Sequence, residues 1–533
     1  MTRDVETDSL PLCLRMTKWM CMCHPEELAT KDLYGRKNMR ATGVLLPIAS
    51  LPTKYGIGGF SKEAYDFVDW LKAAGVDYWQ ILPLGPTGYG DSPYQSISTF
   101  AGNPYFIDLE ALTEEGLLTK EECAEADCGK NPKYVDYGAM YNTRLALLKK
   151  AYKRSKHQNT AAFKAFCEKN AYWLEDYALF VSIKNSQGGA CWTSWEKGIK
   201  TRDEKALKEY RAKYADEIEF YKFNQFMFMQ QWVKLKTYAN KAGIKIIGDI
   251  PIYVAFDSAD AWADTHLFEF DKNCNPKSVA GCPPDAFSAT GQLWGNPLYN
   301  WKVHKEEGFS WWIKRISHCY ELYDVVRVDH FRGFDEYYAI PAKDETAEHG
   351  VWKKGPGIEL FNAIKKKLGE KDIIAEDLGF LTPSVVKLLK DSGFPGMKVL
   401  QFAFDPHNPS VYLPHNHIEN CVVYTGTHDN DTTRGWYKSL GAEDKHYIGE
   451  YLGCGEVKED EIAWIFIRAA LRSPAKLAVI PMQDILNPGS EARLNAPSTF
   501  GENWKWRMLK DECTMKLAEK LARCNWMYER HRF

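Results

Sequence analysis

The sequence predicts an α/β protein, a (β/α)8 TIM barrel with inserted subdomains, one of them mostly helical. Three observations predict it. Eight short runs rich in β-branched residues recur along the chain, amphipathic helical stretches lie between them, and the runs are continuously apolar rather than alternating. A strand covered by helices on both faces has no wet side, so its sequence loses the period-two polarity. Eight such units in one chain suggest closure into a barrel. A doubly wound open sheet is the competing architecture, but no glycine-rich phosphate loop follows the first run.

In chain order the runs are Val44–Ile48, Tyr78–Leu84, Ile244–Val254, Val325–Phe331, Ile373–Leu378, Val399–Phe404, Val422–Thr427 and Leu477–Met482. In Lys62–Ala74, Ala64, Phe67, Val68, Leu71 and Ala74 recur at helical spacing, and Gly75 follows as a C-cap. Phe226–Ala242, Trp311–Tyr323, Ile358–Leu368 and Pro383–Ser392 are the helices expected before strands three to six. Two stretches exceed ordinary connections. Residues 105–225 are Lys/Glu/Ala-rich with aromatic patches such as Tyr172–Ile183, and read as an inserted helical lobe. Residues 255–305 are rich in Gly, Pro and Asn, and read as a long active-site loop region at a strand's C-terminal end. The expected organisation is a catalytic barrel over 39–533 after a poorly ordered N-terminal extension, 1–38. Arg15 and Lys18 interrupt any apolar signal-peptide stretch in that extension.

Composition removes several functions. A net charge of −3 over 533 residues points to neither nucleic acid nor an anionic membrane surface. No apolar run of about 18 residues occurs, so no membrane span is expected. The 14 cysteines show no framework spacing and read as free thiols of a reducing compartment, which places the protein in the cytoplasm. Cys21, Cys23 and His24 lack partners at metal-ligand spacing, and neither metal nor cofactor is expected. Aromatic residues make up 14%, read first as a large core and second as flat platforms for sugar rings.

Acidic residues recur at one place relative to the strands. Asp249 lies within strand three, Asp329 near the end of strand four and Glu376 near the end of strand five, while Asp429 follows strand seven and Asp484 strand eight. One such acid is usually a cap or turn residue. Several on adjacent barrel strands converge on a shared mouth, where like charges cost free energy unless chemistry requires them. Arg327 and Asp329 are two apart and share a side, so the guanidinium favours an ionised carboxylate, suited to a nucleophile or to a plain interior ion pair. Two carboxyl groups suffice for glycosidic cleavage, and a separation of about 5–5.5 Å implies retention through a covalent intermediate. Neighbouring strands are about 4.8 Å apart, so the ends of strands four and five suit that spacing.

At these residues the chain resembles the 4-alpha-glucanotransferases of the amylomaltase or disproportionating-enzyme family, related to the α-amylases. The matching motifs run from about residue 43 to 508. They are Asp91-Ser92-Pro93-Tyr94-Gln95, Ala101-Gly102-Asn103-Pro104, Gly248-Asp249-Ile250-Pro251, Gly291-Gln292-Leu293-Trp294-Gly295-Asn296-Pro297, Arg327-Val328-Asp329-His330-Phe331-Arg332-Gly333, Ala375-Glu376-Asp377-Leu378-Gly379 and Thr427-His428-Asp429-Asn430. The resemblance implies Asp329 as nucleophile, Glu376 as general acid/base and Asp429 as a third carboxylate gripping sugar hydroxyls. It implies Arg327 and His428 holding the sugar at the cleavage point, Asp249 nearby, Tyr94 stacking on that sugar, and Trp294 on a flexible loop over the acceptor side. The helical insertion would distinguish the family from ordinary amylases. The implied partners are malto-oligosaccharides and α-glucans derived from starch or glycogen, with glucose as acceptor.

An α-glucan hydrolase would use the same carboxylates and the same first half-reaction. The resemblance favours transfer, and the aromatic loop at 290–301 gives a physical reason to exclude water. A metal-dependent barrel hydrolase would need ligands at strand ends, and Pro47-Ile48-Ala49 supplies none. A Schiff-base enzyme needs a lysine deep in a strand, whereas Lys245 and Lys398 are expected at or before strand starts. A catalytically dead glucan-binding protein would have no need of the full acidic set.

Overall fold

The computed structural model describes residues 40–530 apart from 89, 285–287, 380 and 500. The expected extension over 1–38, with Cys21, Cys23 and His24, lies outside the described residues. Eight parallel strands form one sheet: β1 (Ala41–Leu45), β2 (Tyr78–Gln80), β3 (Lys245–Pro251), β4 (Val325–Asp329), β5 (Ile373–Ala375), β6 (Gly396–Val399), β7 (Cys421–Tyr424) and β8 (Leu477–Pro481). They run in the order β6-β7-β8-β1-β2-β3-β4-β5. The two ends of this order meet at a seam. There Ala375 N–H donates to the Pro395 carbonyl at 2.9 Å, and the Asp377 carboxylate accepts from Met397 N–H at 2.6 Å. A side chain at position 396 would put its Cβ 2.5 Å from that carboxylate, so glycine lets Asp377 approach without displacement. The expected barrel is present, and a carboxylate supplements main-chain pairing at its seam.

The apolar runs overshoot the strands at their C-terminal ends. The second run was expected to reach Leu84, yet β2 ends at Gln80 with Ile81 and Leu82 still buried. Burial continues into the loops above the barrel after ladder pairing stops, so hydrophobicity alone does not mark where a strand ends. The sixth strand is displaced most: Val399–Phe404 was expected and Gly396–Val399 is found, followed by a 3-10 turn over Leu400–Phe402. Lys398 therefore lies inside a strand, not before it. Its neighbour Met397 reaches Arg327 in the barrel interior at 3.4 Å, so Lys398 points to the other side, where it meets the Tyr412 ring.

Helices cover the barrel. Lys62–Ala73 ends with Ala74 and then Gly75, whose φ of 64° is the left-handed C-terminal turn that glycine favours. Ile358–Leu368 and Pro383–Ser392 form over the expected residues. Ala215–Lys241 starts eleven residues before the expected Phe226. Its first turns bury Ile218, Phe220, Tyr221 and Phe223, so apolar residues cover more than one face and the helical period is blurred. Between β2 and β3 the chain adds a succession of helices from Leu109–Glu114 to Glu204–Lys213. The stretch 255–305, read as loop, instead carries two strands, Ser278–Cys282 and Gln292–Pro297. They join Glu336–Pro341 and Val351–Lys354 in a four-stranded antiparallel sheet. No helix among the described residues is long and apolar enough to cross a membrane.

Candidate active site

The site begins with a register. Asp249 on β3 lies directly opposite Arg327 on β4, and Asp329 is two residues beyond Arg327 on the same side. Arg327 Nη1 donates to Asp249 Oδ1 and Oδ2 at 2.8 and 2.6 Å, and Nη2 lies 2.9 Å from Asp329 Oδ1. Nε meets Met397 Sδ. Of five guanidinium N–H groups, these contacts use four, which leaves one on Nη2. Arg327 and Asp249 are both buried, and Tyr94 donates its hydroxyl to Asp249 Oδ2 at 3.0 Å. Burial pushes the Asp249 carboxyl up and Arg327 opposes it. Burial disfavours the guanidinium charge, but Asp249 and Asp329 outweigh it and hold the Arg327 pKa above its ordinary value.

Glu376 is reached through the β4–β5 pair. Val328 and Ala375 are register partners, which puts Asp329 and Glu376, each one residue on, side by side. There the ladder takes an extra residue. Glu376 N–H donates to the Val328 carbonyl at 3.0 Å, but the Glu376 carbonyl accepts from Phe331, not from His330. His330 is the inserted residue, with φ 55° and ψ 48°. Its freed N–H donates to Glu376 Oε2 at 2.7 Å, while Leu378 N–H donates to Oε1 at 2.7 Å. Burial and then the Asp329 charge raise the Glu376 pKa to about 8, against Arg327 and these two N–H groups. The neighbouring carboxyls thus differ: Asp329 is ion-paired to Arg327, and burial and the Asp329 charge bias Glu376 toward its protonated form.

Asp429 and His428 follow β7. His428 Nε2 lies 3.4 Å from Asp429 Oδ2, and the His428 ring stacks on Tyr94 with centroids 5.1 Å apart and planes at 12°. One face of Tyr94 is therefore occupied by the His428 ring. Trp294 sits on the Gln292–Pro297 strand, edge-on to the His330 ring at 4.9 Å and 87°. Burial lowers the His330 pKa to about 4, so that ring is neutral. Asp484 is not part of this group. It is buried and accepts from the Thr425 hydroxyl and from both N–H and hydroxyl of Thr433, a structural anchor between β7 and β8.

Three contributors had no sequence signal. Asn495 donates to Asp429 Oδ1 at 2.6 Å, Arg493 to the Asp429 carbonyl at 2.8 Å, and Trp504 backs the His428 ring. All three lie in the connection after β8, outside the motifs quoted above. Among the described residues no group of His, Cys, Asp or Glu has the arrangement of a metal site.

The sequence profile of the 4-alpha-glucanotransferase family matches residues 46–512. The chain is 48% identical to a 4-alpha-glucanotransferase of Clostridium butyricum over 91% of this chain and 99% of that one. It is 48% identical to a 4-alpha-glucanotransferase of Thermus thermophilus over 90% and 97%. Its structure is similar to that of an amylomaltase from Streptococcus agalactiae solved in complex with acarbose. That similarity has a TM-score of 0.90 and 41% identity, and covers 92% of this chain and all of the other.

Proposed function

Because this chain belongs to the 4-alpha-glucanotransferase family, we propose that it transfers α-1,4-glucan segments between malto-oligosaccharides by a retaining double displacement at the barrel mouth. The observation that carries this reading is the pair Asp329 and Glu376, side by side on adjacent strands, one ion-paired and the other with its pKa raised by burial and by the Asp329 charge. In the first step Glu376 gives its proton to the glycosidic oxygen. Asp329 attacks the anomeric carbon, the carbon–oxygen bond breaks, and the leaving chain departs with a new 4-hydroxyl. Esterified Asp329 carries no charge, so one of the two causes that raise Glu376 disappears. Glu376 then holds its proton less tightly, which suits the second step. There it takes the proton of an incoming 4-hydroxyl as that oxygen attacks the anomeric carbon and the ester bond breaks.

Arg327 supports the Asp329 carboxylate. Asp429 and His428 face the sugar at the cleavage point, Asp249 braces Arg327 and Tyr94, and Tyr94 offers its free face to the ring. Trp294 covers the acceptor side. Donors are malto-oligosaccharides and α-glucans derived from starch or glycogen, and glucose serves as an acceptor. Cys123, Cys319 and Cys421 are free thiols, which suits a reducing cytoplasm. The helical lobe at about 105–225 and the region at about 255–305 are insertions into one catalytic barrel unit.

Incubation with maltotriose tests the reading. The expected products are glucose together with chains longer than the substrate, and no net gain in reducing ends. Maltose and glucose alone, with one new reducing end per bond cleaved, would instead identify a hydrolase using the same carboxylates.

A further inference from the structure

Asp429 is the most open of the three proposed catalytic carboxylates, with 42% of its side chain exposed. An exposed carboxylate turns freely unless something fixes it, and fixing costs side-chain entropy. Asn495 Nδ2 donates to its Oδ1 at 2.6 Å. His428 Nε2 lies 3.4 Å from its Oδ2. Arg493 Nη2 donates to its main-chain carbonyl at 2.8 Å, and Arg493 Nε donates to the Asn495 carbonyl at 2.7 Å. One arginine thus ties both main chains together and sets the amide of Asn495 against the carboxylate.

This clamp is itself anchored. Leu494, between the two, is buried, and its carbonyl accepts from Trp504 N–H at 2.7 Å. Asn503 Oδ1 accepts from Ala496 N–H at 2.9 Å, closing the neck of the loop. The Trp504 ring lies 6.0 Å from His428 and 5.8 Å from Tyr94. The same neck therefore supports both residues that follow β7.

We infer that Asn495 is a positioning residue for the transfer reaction, aiming Asp429 at the sugar by an amide-to-carboxylate hydrogen bond, with Arg493 holding the two in register. The inference rests on the proposed role of Asp429. An amide is suited to the task because it donates without adding a charge. A lysine would add a charge beside His428, and an aspartate would repel.

That last contrast supplies the test. Asn495→Ala removes the donor at every pH. Asn495→Asp sets two carboxylates within hydrogen-bond reach, and such a pair takes up a shared proton as pH falls, so a protonated Asp restores the donor. His428, Arg493 and the Tyr94 hydroxyl are titratable or charged groups around Asp429, and Glu376, its pKa raised to about 8, titrates in the same window. All are present in both variants, so their titration cancels when the two are compared. Steady-state rates on maltotriose are measured as ratios to the parent enzyme at about pH 5 and about pH 8.

Both variants are expected to lose kcat at the higher pH by roughly 10- to 100-fold, with little change in KM. Only Asn495→Asp is expected to recover at the lower pH. Loss of the loop would lower both variants alike at both pH values, and that parallel loss would overturn the inference. Full activity of Asn495→Ala would also overturn it. Asp429→Asn separates the two readings: if it is active, the role of Asp429 falls; if it is inactive while Asn495→Ala is active, only the positioning role falls.

Discussion

The main-chain N–H of His330 donates to Oε2 of Glu376 at 2.7 Å, across 46 positions of sequence. It can do so because His330 takes a left-handed conformation and is inserted into the β4–β5 ladder, which frees a donor that strand pairing would otherwise use. This donor and Leu378 N–H favour the Glu376 anion, yet burial and the Asp329 charge prevail and hold the pKa at about 8. The opposing influences set Glu376 near the pH that suits its proposed role, an acid in the first step and a base in the second.

The first prediction follows from that value. As general acid Glu376 must carry its proton, so the first half-reaction is expected to fall as pH rises through about 8. The linkage to stability has the same direction. The folded state binds this proton more tightly than the unfolded chain, where the ordinary value is 4.5, so stability is lost as pH rises from there through about 8. Glu376→Gln is therefore expected to abolish turnover and to melt above the parent at alkaline pH, with the gain shrinking in acid. Melting scans across pH check the sign, and a gain confined to acid would contradict it.

The second prediction concerns Asp329. Asp329→Asn keeps the shape and removes the proposed nucleophile, so turnover is expected to fall by several orders of magnitude in a folded protein. More than a few per cent residual activity, after removal of any parent enzyme, would exclude Asp329 as the covalent residue.

The third concerns the ion pair beneath it. Arg327→Met leaves Asp249 buried and unpaired, which is expected to cost about 3–5 kcal/mol of stability. Adding Asp249→Asn removes the stranded charge and is expected to restore most of that loss without restoring activity. Denaturant unfolding of both single variants and the double variant gives the coupling directly. Additive losses would mean that the two residues do not form one unit.

The fourth is that catalysis needs no metal. Turnover is expected to be unchanged after exhaustive chelation. A loss reversed by one particular metal ion would contradict the two-carboxylate scheme.

Asp249, Arg327, Asp329, Glu376 and Asp429 were visible in the sequence because a barrel exposes strand ends at one mouth, and acids there are conspicuous against apolar runs. The same reasoning misplaced Asp484, since an acid after a strand can as well accept from buried hydroxyls, as it does from Thr425 and Thr433. Asn495 and Arg493 gave no signal: they are ordinary polar loop residues that meet Asp429 only because β7 and β8 are neighbours. The His330 insertion is a backbone conformation, and nothing in Val328-Asp329-His330-Phe331 distinguishes it from a continuing strand. The strands Ser278–Cys282 and Gln292–Pro297 were read as loop because glycines and prolines in and around them mask their short apolar runs.

Trp294 carries the last prediction, the choice between water and sugar. A glycosyl ester on Asp329 faces attack from the acceptor side, and a transferase must exclude water there or hold the acceptor in place. Trp294 is partly buried, its Nε1 donates to Gln292 Oε1 at 3.1 Å, and its ring meets His330, the residue that follows Asp329. An indole there can shield the ester and stack against an incoming ring. If it does, Trp294→Ala lowers transfer more than first-step cleavage, hydrolysis products rise as a fraction of the total, and glucose binds more weakly as acceptor. If Trp294 only anchors its strand, both half-reactions decline together. Total bond cleavage and new reducing ends, followed in parallel on maltotriose, separate the two, and an unchanged ratio at any absolute rate would mean that Trp294 does not partition the intermediate.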